Sequence, residues 1–131
     1  MNNQSNRTTR VGYWILTVLF SLMMALSATM YLTSDAMVQA FRHLGFPTYF
    51  RVELALAKYA GVAALLAPVP DRVREWAYAG FGITLASAVI AHSSVDGPQA
   101  AAMPAVFLII LCASYVLRAK LAPSKSALAE G

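Results

Sequence analysis

Lys58 stands alone in the apolar stretch Leu54–Ala67, roughly ten residues from either end of a segment that begins near Pro47 and stops at Pro68 and Pro70. If that segment crosses a bilayer, an ammonium at this depth costs ~2.5–3.5 kcal/mol. It must then point into a helix bundle, snorkel outward on its four-carbon stem, or lose its proton. Glu53 is the nearest acid in sequence, but residues five apart lie ~140° apart on a helix, so a partner from another segment is expected. Matching depths across antiparallel segments puts Glu53 level with His92, and Lys58 level with the stretch from Thr84 to Ser87. Ser27 and Tyr31 fall at comparable depths on the first segment. Glu53, Lys58, Tyr31, Ser87 and His92 are therefore expected to line one polar pocket in the outer half of the protein. Burial shifts the proton affinity of such groups, which suits them to donate hydrogen bonds or protons to a bound head group. Glu53 and His92 also fit ordinary interfacial positions, and Lys58 also fits a structural ion pair or a snorkelling chain.

Other chemistries lack their residues. His43 and His92 are far apart, and neither has a second ligand three or four positions away, so no metal site is expected. There is no phosphate loop, nucleophile elbow or haem attachment motif. Cys112 is the only cysteine, which excludes an internal disulfide or dithiol couple. It reads as a small core residue deep in the last segment.

The elements that must position these groups are membrane helices. Of 131 residues, 59% are hydrophobic and 12% charged, against about 25% charged in soluble domains. No charge falls between Val11 and Ser34, a run that would span roughly 36 Å as a helix, more than the ~30 Å hydrocarbon core. That run is too long for the apolar region of a typical cleaved signal peptide. Four segments emerge, at about 11–33, 47–67, 75–93 and 99–117, with Pro104 expected to kink the fourth. The fold class expected is an all-α, integral membrane, antiparallel four-helix bundle spanning residues 11–118. Residues 1–10 are expected as a disordered cytoplasmic start and 119–131 as a cytoplasmic tail.

Arg7, Arg10, Arg72, Arg74, Arg118, Lys120 and Lys125 collect on one side and Arg42 and Arg51 on the other, so both termini are expected in the cytoplasm. The ten basic residues form no patch suited to nucleic acid. The outer connection holds a short interfacial helix over 35–44. Ser34 would cap it, Gly45 would end it, and Phe41 and Leu44 would face inward with Arg42 and His43 toward water. In the third segment Gly80, Thr84, Ser87 and Ala91 share a face whose small residues suit helix packing, with Gly61 on the second segment as a further packing position. Trp76, Tyr78 and Tyr115 are expected to anchor the cytoplasmic ends.

The string Glu75-Trp76-Ala77-Tyr78-Ala79-Gly80-Phe81, with Lys58 and Gly61 before it, His92 after it and Ser114-Tyr115-Val116-Leu117-Arg118 closing the last segment, resembles the DoxX-like family of small bacterial four-helix membrane proteins. The resemblance covers about residues 11–118. It implies an inner-membrane protein linked to membrane-bound oxidoreductase complexes, since the broader family takes its name from a subunit associated with thiosulfate:quinone oxidoreductase. A quinone is the cofactor this suggests, and another membrane or redox subunit the partner besides the lipid bilayer. The alternatives are a non-enzymatic scaffold and, more weakly, small-solute permeation, for which the chain offers few polar pore-lining positions and no internal repeat.

Overall fold

The uncharged run from Val11 propagates as helix in both directions, because no proline interrupts it. In the computed structural model, which describes residues 3–123, helix α1 covers Asn3–Thr33. The expected disordered start is therefore helical from Asn3. Once the long apolar helix is nucleated, adding a polar residue costs only its small propensity deficit. The Thr8 and Thr9 hydroxyls donate back to the carbonyls of Gln4 and Ser5, as threonines inside a helix commonly do. The expectations for residues 1–2 and 124–131 lie outside the described residues.

Helix α2, Asp35–His43, follows Ser34, whose extended backbone breaks α1 without a side-chain capping bond. Phe41 is buried and Leu44 half-buried, with Arg42 and His43 exposed. Gly45 takes a positive φ of 84°, open to glycine without strain, and turns the chain into α3, Thr48–Leu66. Pro68 and Pro70 stop α3, since proline lacks the N–H and disfavours helix in the residue before it. Helix α4, Asp71–Asp96, starts with Asp71 in its first turn, where the helix dipole favours an acid. Gly97, with φ of 92°, and a short 3₁₀ turn at Pro98–Ala101 lead into α5, Ala102–Leu121. Pro104 is the third residue of α5. Its missing N–H is one that a first turn leaves unpaired anyway, so it sits at the start of the helix and not at an interior kink.

Among the described residues the fold is all-α, with five α-helices, and three helical stretches are long and apolar enough to cross a membrane: Asn3–Thr33, Asp71–Asp96 and Pro98–Leu121. Helix α3 is not among them; its 19 residues include Arg51, Glu53 and Lys58. The four long helices form a closed ring of neighbours, with α1 and α4 each packed between α3 and α5. Side-chain contacts fix the directions. Ser27 meets Lys58 while Tyr31 meets Arg51, Thr17 meets Ser114 while Gly12 lies beside Leu117, and Tyr78 meets Ser114 while Glu75 meets Arg118, so each of these pairs runs antiparallel. Phe20, Met24, Leu65, Tyr78, Phe81, Leu85 and Leu111 form the core. The exterior is apolar too: Ile15, Leu22, Leu26, Ile83, Ile90 and Ile109 are all exposed. A large apolar exterior around an apolar core sets the protein apart from a soluble helix bundle, whose outer faces are polar.

Candidate functional site

Lys58 is on the inward face of α3 and is only 6% exposed. Its Nζ donates to Ser27 Oγ at 2.8 Å and lies 3.9 Å from the centre of the Tyr31 ring, both on α1. A hydroxyl lone pair and an aromatic face thus replace part of the ammonium's lost hydration. None of the salt bridges among the described residues involves Lys58. About two turns nearer the N-terminus of α3, Arg51 Nη1 donates to the backbone carbonyl of Tyr31.

Lys58 also lines a cavity of about 340 Å³ between α3 and α4. Leu54, Gly61 and Phe81 give it an apolar wall, and Thr84 adds a hydroxyl from α4. Gly61 is required for the close packing beside it. A Cβ there would lie 2.5 Å from the Phe81 ring, which stacks edge-on against Phe20 at 5.1 Å. Gly80, the other glycine of the wall, differs: a Cβ there would meet nothing within 4 Å.

The structure thus brings Lys58 and Tyr31 together and adds Ser27, which matched them in depth. It leaves Glu53 and Ser87 exposed and His92 half-buried. The cause is angular. Glu53 is ~140° around α3 from Lys58, and Ser87 is ~160° around α4 from the buried Leu85. His43, exposed on α2, instead reaches Asp96 at the end of α4, with Nε2 2.7 Å from Oδ1.

Two polar clusters went unread in the sequence. In the core, Ser114 Oγ shares hydrogen bonds with Thr17 Oγ1 at 2.7 Å and with the Tyr78 hydroxyl at 2.8 Å, tying α1, α4 and α5 together. Tyr78 is 5% exposed, so it is a core residue and not the interfacial anchor expected. The hydroxyls of Thr17 and Ser21, spaced four apart, were the available signal; Ser21 Oγ is buried without a partner. One turn away, Arg118 donates to Glu75 and to Asp71, the latter at 3.2 Å, while the Tyr115 hydroxyl donates to Glu75. Cys112 faces outward, exposed on α5, contrary to its expected core position. A helix apolar on every side gives no cue as to which face turns inward. Among the described residues no group of three His, Cys, Asp or Glu side chains is placed to hold a metal ion.

The model of the DoxX-like family matches residues 15–114, from within α1 to within α5, and so takes in Lys58, Tyr31 and the whole α3–α4 cavity. The chain belongs to the DoxX-like family, and it is a membrane protein with transmembrane helices. No curated protein and no solved structure matches it.

Proposed function

We propose that this DoxX-like protein is a membrane subunit of a quinone-linked oxidoreductase system and that it holds a quinone-like head group in the α3–α4 cavity. In this reading α3 is the fourth span of an antiparallel four-helix bundle in the bacterial inner membrane, with both termini cytoplasmic. Its 19 residues cover about 28 Å, and its one deep charge is turned away from lipid toward Ser27 and Tyr31.

The observation that carries the reading is a buried cation, without a carboxylate partner among the described residues, on the wall of an apolar cavity. Binding sites for small organic molecules have this composition: mostly apolar walls, few polar groups, and volumes from about 300 Å³ upward. An ammonium has three donors, and Ser27 takes one of them, which leaves capacity to donate to a carbonyl oxygen. Thr84 offers a second donor across the cavity. The isoprenoid tail would continue into lipid past the apolar exterior. A bound quinone would supply the redox chemistry, for which the chain's lone thiol is no substitute.

Thermal unfolding of the purified protein with short-chain ubiquinone and menaquinone analogues tests this reading. Wild type should be stabilised and Lys58→Met should lose the response; an unchanged wild-type melt refutes it. The partner-scaffold reading rests on the exposed backbone at Gly80, where a neighbouring helix would meet no side chain. It requires a defined complex in mild detergent that Gly80→Leu dissolves and Lys58→Met does not.

A further inference from the structure

The acids in the described chain are unevenly committed. Asp71 pairs with Arg74 and Arg118, Glu75 with Arg118, and Asp96 with His43. Arg51 and Lys58 take part in none of these pairs. They are seven residues apart on α3, which places them within about 20° on the same helix face. Both reach the same residue of α1: Arg51 donates to the Tyr31 carbonyl, and Lys58 lies over the Tyr31 ring. Two positive charges therefore both address Tyr31 on the α1–α3 seam, one at its backbone and one at its ring, while the nearest acid in sequence, Glu53, is exposed on another face of α3.

Their hydrogen-bonding capacity is not used up. Arg51 Nε is buried without a partner. A guanidinium carries five donors and an ammonium three, whereas one side-chain bond is formed by each of these residues. Water is a poor substitute as the missing acceptor. Toward α2 the seam is walled by a chain of aromatic rings, with Tyr31 against Phe41 at 4.8 Å, Phe41 against Phe46 at 6.0 Å, and Phe46 against Phe50 at 5.0 Å. Like charges gathered beside such a low-dielectric wall repel strongly unless an anion joins them.

We propose that Arg51 and Lys58 form a binding site for an oxyanion of the phosphate or carboxylate type at Tyr31, on the α1–α3 seam. The planar fork of Arg51 would take two oxygens of the anion, and the compact ammonium of Lys58 would supply the second charge. This site shares Lys58 with the α3–α4 cavity but is centred on Arg51 and does not require a bound quinone. Arg51 does not line that cavity.

The test uses the full-length protein in phosphatidylcholine nanodiscs, with thermal unfolding read at matched ionic strength. One arm titrates inorganic phosphate or acetate against chloride. The other replaces part of the phosphatidylcholine with phosphatidylglycerol. A saturating rise in Tm is expected in at least one arm. Response to the soluble anions assigns the site to a solute, and response only to phosphatidylglycerol assigns it to a lipid head group. Arg51→Gln should remove most of the rise and Arg51→Lys should keep part of it. Arg42→Gln, on the exposed side of α2, should retain all of it. Absence of a rise in both arms for wild type, or a full rise in Arg51→Gln, overturns the proposal. A quinone-analogue response that persists in Arg51→Gln would leave the cavity reading standing whatever the anion result.

Discussion

Gly61→Ala is the sharpest probe of how α3 and α4 meet. The added methyl carbon would lie 2.5 Å from Phe81 Cε2 and 2.6 Å from Cζ. Carbon atoms rest at about 3.5–4.0 Å, so the ring must move by roughly 1 Å. Phe81 is 5% exposed and is held edge-on by Phe20, and overpacking of this kind costs about 1–3 kcal/mol. Alanine returns about 1 kcal/mol through its better helix propensity. The net loss expected is about 1 kcal/mol, and the space available to the displaced ring is the cavity itself. Gly61→Ala should therefore weaken any quinone-analogue response along with stability. In a Phe81→Leu background the obstructing ring atoms are gone, so the same substitution should be neutral or stabilising. The coupling between the two sites should then be about 1–3 kcal/mol. Unfolding in mixed micelles of increasing SDS fraction measures all four proteins of the cycle. Equal effects of Gly61→Ala in both backgrounds would refute the contact.

Ser114→Ala should cost about 1–2 kcal/mol in the same assay, because it strips the Thr17 and Tyr78 hydroxyls of their shared partner in a buried site. A loss below ~0.5 kcal/mol would mean that the two hydroxyls pair with each other or with water. Cys112→Leu should change stability by less than about 0.5 kcal/mol, since the side chain faces outward. A loss above ~1 kcal/mol would place Cys112 inside the ring.

The helices were legible because their edges carry strong local marks. Pro47, Pro68, Pro70 and Gly97 bound α3 and α4 within a few residues, and Ser34 and Gly45 bracket α2. The start of α1 was not legible, since residues 3–10 are polar and take their helicity from the run that follows them. Facing was the harder property. In a soluble helix, polarity marks the outside, but here Val11, Ile15 and Leu22 are exposed while Thr17, Ser21 and Ser114 are buried. Sequence reasoning therefore put Tyr78 at the interface and Cys112 in the core, and the structure exchanges them. At the candidate site, depth alone brought Lys58 and Tyr31 to the same level. It was blind to rotation about the helix axes, which turns Glu53 and Ser87 outward and gives Lys58 a hydroxyl and an aromatic ring where an acid was sought.

The closed ring of helices has a mechanical consequence. Neither α1 and α4 nor α3 and α5 are neighbours among the described elements, so the diagonals of the ring are spanned by side chains alone. Between α1 and α4 that span includes the Phe20–Phe81 ring pair and the Thr17–Ser114–Tyr78 hydroxyl bridge, which borrows its middle member from α5. A shift of α1 driven from Tyr31 would reach α4 through two linkages of opposite character. The aromatic pair can slide and re-seat, whereas the hydroxyl bridge holds or breaks.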